Sequence, residues 1–161
     1  MSNEILSLLK ESGAFLEGHF LLTSGRHSDK YIEKFRLMES PNHLDKVCQK
    51  MSSQFSKDSV DIVLGAAIGG ILLSSGVAKY MGKKGIFTER VQEKMELRRG
   101  FEIQEGSNVL IVEDIVSTGG SIFELIEVVK ECNANVTGVT SIVHRSIDEI
   151  DFGCTYRPLL N

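Results

Sequence analysis

The stretch VLIVEDIVSTGGS, residues 109–121, constrains this chain most. Four apolar residues run straight into the carboxylates Glu113 and Asp114, and a loop of hydroxyls and glycines follows. Residues 109–112 read as a buried strand, and the periodicity of residues 119–132 reads as a helix. Residues 60–64 have the same grammar: an apolar strand leads into GAAIGGI and then a helix to about Tyr80. Further short strands are expected at 85–87 and 136–143, with a last edge strand at 153–158. All-apolar strands alternating with helices require a parallel sheet covered on both faces. The expected class is therefore α/β, with a mainly parallel sheet flanked by helices.

Ahead of this region the sequence predicts a short amphipathic helix at 3–11, extended chain over 14–35 and a turn at Ser24-Gly25. A helix after Pro41 follows, because Leu44, Val47, Cys48, Met51 and Phe55 recur at offsets of three and four. Residues 88–107 are mostly polar and charged and suggest a β-hairpin arm, with Met95, Leu97 and Phe101 separated by polar residues. No repeat or linker divides the 161 residues, so one domain is expected.

Composition excludes several classes. A net charge of −4 and a pI near 5.6 argue against nucleic-acid binding by phosphate neutralisation. No apolar run approaches the roughly 20 residues needed to span a bilayer. The N-terminus lacks the basic flank and cleavage site of a secretory signal. Cys48, Cys132 and Cys154 form no CxxC pattern and are expected to be buried, reduced thiols. These features point to the cytoplasm.

In parallel α/β sheets, ligands bind at the carboxyl ends of strands, where both glycine loops fall. The loop at residues 117–121 is neither GxxxxGK[ST] nor GxGxxG. Two readings of it stand at this point. Ser-Thr-Gly-Gly can be only a cap and turn behind an acidic strand end. Alternatively the loop holds a phosphate through unpaired helix-start N–H groups. A bare phosphate gains nothing from two carboxylates, whereas a sugar phosphate does. Its hydroxyls bond them, and they lie close to positive charge that develops on a breaking anomeric bond.

The stretch VLIVEDIVSTGGS resembles the phosphoribosyl-diphosphate (PRPP) motif of type I phosphoribosyltransferases. GHFLLTSGRHSDKYI, GAAIGGI and IFTERVQEKMELRRGFEI are similar, in order and spacing, to compact bacterial orotate phosphoribosyltransferases. The resemblance implies that fold, with an N-terminal hood over about residues 1–40, a core over about 41–161 and a basic β-arm. It implies ribose contacts from Glu113 and Asp114, and a PRPP site formed by Ile115, Val116, Ser117, Thr118, Gly119, Gly120 and Ser121. The backbone of Ile68, Gly69 and Gly70 would meet the diphosphate, and magnesium would arrive with PRPP rather than in a protein cage. Arg90 and Lys94, more than Arg98 and Arg99, would stabilise the leaving group, against the alternative of a solvated charged arm. Orotate would meet Arg145, Ser117 and Tyr31, with Arg26 nearby, since an arginine fork suits a carboxylated base. A homodimer is implied as well.

The chain departs from the family pattern at Thr23 and Gly69, where many members carry lysine. Ala66 replaces a usual proline, His144 a usual aspartate and Ser117 a common threonine. Where this chain reads YRPLLN, relatives continue for another strand or more. The implied reaction joins orotate to PRPP. The alternatives are transfer to a purine, xanthine or uracil, or a non-catalytic PRPP-binding regulator.

Overall fold

The computed structural model describes residues 2–21, 25, 27–146 and 149–161. Helix α1 (Ser2–Glu11) precedes strands β1 (Phe15–Leu21) and β2 (His27–Ile32), which pair antiparallel as a separate two-stranded sheet. Helices α2 (Lys34–Met38) and α3 (Pro41–Ser53) lead to β3 (Ile62–Ala66), α4 (Gly69–Met81), β4 (Lys84–Val91) and β5 (Lys94–Leu97). The chain continues through β6 (Asn108–Val116), α5 (Gly120–Glu131), β7 (Asn135–His144) and β8 (Tyr156–Leu160). The main sheet has the order β5-β4-β3-β6-β7-β8. Its strands are parallel except β5, which returns antiparallel along β4.

The pleat divides the core. Along β6, Leu110 and Val112 join the apolar cluster under α1, α3 and α4, whereas Val109 and Ile111 join the cluster under α5. In β3, Val63 faces the first cluster, while Ile62, Leu64 and Ala66 face the second. Burying each such side chain contributes about 1.5–3 kcal/mol, against about 0–1 for a surface ion pair. The two faces of the central strands therefore hold this fold, more than its charged arm. Helix α3 carries the expected stripe: Val47, Cys48 and Met51 are buried, and Leu44 and Phe55 pack against the same core. It opens on the Ser40 hydroxyl, which accepts the His43 N–H at 3.5 Å, with Pro41 in the first turn.

Several sequence expectations need correction. The extended segment ends at Ile32, before residue 35, because the Glu33 carboxylate accepts the Phe35 N–H at 3.4 Å and starts α2, which buries Leu37 and Met38. Strand β6 does not stop at Val112, because pairing with β7 continues through Glu113–Ser141, Ile115–Val143 and Val116–His144. The arm begins inside the sheet: β4 runs to Val91, turns at Gln92 and Glu93, both at positive φ, and β5 ends at Leu97. The edge strand lies at Tyr156–Leu160, since the Gly153 N–H bonds Asp151 Oδ1 at 2.8 Å in a turn before it. Of the free cysteines only Cys48 is buried; Cys132 and Cys154 are half-buried. Of the turn expected at Ser24-Gly25, Ser24 lies outside the described residues and Gly25 has φ +78°.

The start of α4 is pressed onto the end of β3. A Cβ on Gly70 would lie 2.9 Å from the Gly65 main chain, and a Cβ on Gly65 would collide with the Gly70 carbonyl. Backbone on both sides leaves no flexible group to move aside. Gly65→Ala is therefore expected to lower stability by about 1–3 kcal/mol through overpacking. Chemical denaturation against the unsubstituted protein measures this, and equal stability would contradict the packing described.

Candidate active site

Glu113 and Asp114 sit at the carboxyl end of β6, 8% and 3% exposed. Successive side chains of a strand leave on opposite faces, and the pair follows that rule. Glu113 lines a cavity of about 70 Å³ with the loop Ser117, Thr118, Gly119, Gly120 and Ser121. Asp114 turns the other way, onto the start of α4, where any Cβ on Gly69 would collide with its Oδ2. One carboxyl thus addresses each glycine loop.

The two acids are held largely by adjacent main chain. Glu113 Oε1 accepts the Asp114 N–H at 2.9 Å, and Asp114 Oδ1 accepts the Ile115 N–H at 2.6 Å. Asp114 Oδ2 lies 2.7 Å from Lys34 Nζ, an ionic contact that supplies no directed hydrogen bond to this buried oxygen. Burial pushes the Glu113 carboxyl up to about 7, and the neighbouring Asp114 charge adds to the rise. The Asp114 N–H and the Lys34 ammonium oppose it without cancelling it.

Both loops present helix starts without a side-chain cap. Helix α5 begins behind Gly119, whose φ is +77° and whose Cβ would press on Phe152 at 2.7 Å. Only glycine suits that conformation and that space. Helix α4 begins at Gly69 behind Ile68, again with no side-chain cap. The first-turn N–H groups at both places are the donors an anion needs. Ser117 and Thr118 add exposed hydroxyls.

Other residues singled out in the sequence are distributed differently. Val116 buries its side chain in the core under α5, and its carbonyl accepts the Arg145 N–H at 2.7 Å, while Ile115 is half-buried. Arg145 follows β7 directly with an exposed side chain. Tyr31 in β2 stacks on Phe20, ring centres 5.4 Å apart. Arg26 lies outside the described residues. In the arm, Arg90 bonds Glu124 of α5 at 2.8 Å and the Glu93 carbonyl at 2.7 Å, and Arg99 forks onto Glu89 at 2.9 and 2.8 Å. Lys94 is exposed at the start of β5. Arg90 is thus committed to α5 here rather than reaching over Ile68–Gly69–Gly70.

Sequence reasoning missed Lys34. Residue 34 falls in the stretch that the sequence marks as extended, and no local spacing links it to residue 114. Beside β7 and β8 a wider cleft of about 760 Å³ opens, lined in part by His144, Ser146 and Tyr156. The Tyr156 hydroxyl bonds Ser141 Oγ at 2.8 Å and His144 Nδ1 at 3.2 Å. Burial pushes this phenol up to about 12, so it stays protonated at neutral pH.

The raised Glu113 value has a consequence for stability. Below the ordinary value of 4.5 the carboxyl is protonated in folded and unfolded chains alike, and it costs nothing. Between 4.5 and about 7 the unfolded chain loses its proton first, so stability falls as pH rises. Above about 7 the loss is complete, on the order of 3 kcal/mol. Glu113→Gln keeps the acceptor for the Asp114 N–H and removes the charge. Its Tm is expected above that of the unsubstituted protein at pH 8, with the gap closing toward pH 4.5. A gap independent of pH would contradict this account.

Residues 37–151 match the phosphoribosyl transferase domain. An orotate phosphoribosyltransferase of Thermoanaerobacter sp. (strain X514) is 42% identical over 158 residues, covering 98% of this chain and 83% of that protein. The crystal structure of orotate phosphoribosyltransferase from Aeropyrum pernix superposes with a TM-score of 0.75 at 26% identity, covering 88% of this chain and 81% of that one. Adenine phosphoribosyltransferase from Saccharomyces cerevisiae superposes with a TM-score of 0.72 at 20% identity, covering 96% and 99%, a likeness of fold alone. The α/β sheet, the strand-end loops and these matches agree: the chain belongs to the phosphoribosyl transferase domain family and, within it, to the orotate phosphoribosyltransferases.

Proposed function

We propose that this protein transfers the phosphoribosyl group of PRPP to orotate, giving orotidine 5′-phosphate and diphosphate. The observation that carries this reading is the division of the acid pair, with Glu113 facing the Ser117–Thr118–Gly119–Gly120–Ser121 cavity and Asp114 facing Gly69. A ligand with a phosphate at one end, a diphosphate at the other and a hydroxyl-bearing ring between them meets both loops and both carboxyls. In this reading the ring hydroxyls donate to Glu113 and Asp114, and the 5′-phosphate accepts from the loop before α5. The diphosphate accepts from the N–H groups of Ile68, Gly69 and Gly70.

Catalysis then consists of positioning and charge stabilisation. Asp114, buried and with one oxygen lacking a hydrogen bond, stabilises positive charge that grows on the ribose as the anomeric bond lengthens. Orotate, anionic at its ring nitrogen when bound, needs no strong general base. Arg145 pairs with its carboxylate, with Ser117 and Tyr31 completing the base site. Lys94 and Arg90 serve the leaving group once Arg90 exchanges Glu124 for the diphosphate.

Magnesium enters with PRPP as part of the substrate. Of the acid pair, Asp114 faces the Gly69 loop and would meet an ion carried on the diphosphate there, while Glu113 faces the other loop. When bound, the ion neutralises diphosphate charge. In this reading the enzyme acts as a homodimer in the cytoplasm. Among the described residues no helix is long and apolar enough to cross a membrane.

Loss of orotate absorbance in the presence of magnesium and PRPP tests the assignment, and turnover with another base but not orotate would overturn it. Arg145→Ala separates orotate from neutral bases. Loss of a charge-assisted pair predicts a KM for orotate raised roughly 10- to 100-fold. An unchanged KM would remove orotate as the acceptor.

A further inference from the structure

Lys34 has no part in the functional reading so far, yet its ammonium is the cation in contact with the acid pair. Nζ lies 2.7 Å from Asp114 Oδ2 and 3.6 Å from the point a Cβ on Gly69 would occupy. It therefore stands beside both the Asp114 carboxyl and the loop that begins α4. Its side chain is 34% exposed, against 4% for that of Asp114, so the pair spans the boundary between buried carboxylate and solvent. Lys34 opens α2, whose start is fixed by Glu33 and whose Leu37 and Met38 are buried, so its backbone is anchored while its long stem can swing. In the arm, by contrast, Arg90 and Arg99 are spent on Glu124 and Glu89.

We propose that Lys34 is a diphosphate-binding residue of this enzyme, parked on Asp114 in the free protein and handed to the ligand when PRPP enters. The inference rests on the phosphoribosyl transfer reading above. Without a ligand, the ammonium offsets a buried carboxylate that has no hydrogen bond at Oδ2. Diphosphate competes with Asp114 for the ammonium even by itself, and a bound ribose completes the exchange by supplying hydroxyl donors to that carboxylate. Diphosphate oxygens held by the Gly69 loop then lie within the reach of its stem. The exchange keeps each charge partnered, which matters because an unpaired charge in a water-poor site is costly.

The test is calorimetric titration of magnesium diphosphate and, separately, of ribose 5-phosphate, into the unsubstituted protein, Lys34→Met and Lys34→Arg, with kcat/KM for PRPP measured in parallel. Lys34→Met is expected to weaken magnesium diphosphate and lower kcat/KM for PRPP by roughly 10- to 100-fold, the weight of a charge-assisted bond. Ribose 5-phosphate affinity should stay within about 3-fold. Lys34→Arg, which keeps the charge, should recover much of the loss and guards against a folding defect in the methionine variant. Unchanged diphosphate affinity in Lys34→Met overturns the proposal. So does an equal loss for ribose 5-phosphate, which would mean that Lys34 only holds Asp114 in place. If the unsubstituted protein neither binds nor turns over PRPP, the parent reading fails and takes this inference with it.

Discussion

The carboxylate of Asp114 rests on residue 69 so closely that only glycine fits, while Gly65 and Gly70 press main chain against main chain. This contact locks the end of β3 and the start of α4 to the end of β6. Much else follows from it. The two strands are parallel neighbours in the sheet, so their carboxyl ends lie side by side, and each end opens a glycine loop before a helix. The site is therefore a product of sheet register, assembled at the strand ends where α/β folds bind ligands.

Electrostatics make this arrangement costly for the empty protein and useful for a bound one. Two adjacent acids at 8% and 3% exposure repel one another and lose hydration. The molecule answers locally, with main-chain donors to one oxygen of each, burial that raises the Glu113 carboxyl to about 7, and the Lys34 ammonium beside Asp114. A ligand that brings hydroxyls to the acids and phosphates to the helix starts relieves both sets of groups together. Neither a bare phosphate nor a neutral sugar does so.

Much of this was legible in the chain itself. Residues 60–64 and 109–112 announce buried parallel strands because nothing polar interrupts them, and the glycines after them mark where the backbone must come close. The division of the acid pair between the two faces was not among the legible features, because the strand expected at 109–112 stopped short of Glu113 and Asp114, whereas pairing with β7 carries β6 through Val116. What stayed hidden depends on contacts between residues far apart in sequence. Lys34 meets Asp114 only because α2 forms where extended chain was expected, and Arg90 meets Glu124 only because the β4–β5 hairpin lies near α5. The function of the basic arm was likewise implied by the resemblance alone, which does not reveal that Arg90 and Arg99 have partners within the chain.

The central claim is that a single ligand spans both loops with its ring on the acid pair. A crystal structure with magnesium and PRPP, orotate omitted so that no transfer occurs, tests it most directly. The account predicts the 5′-phosphate in the loop formed by Ser117, Thr118, Gly119, Gly120 and Ser121, ribose hydroxyls on Glu113 and Asp114, and the diphosphate at Ile68, Gly69 and Gly70. A complex with the phosphate outside the loop before α5, or with neither carboxyl touching the ribose, would contradict it.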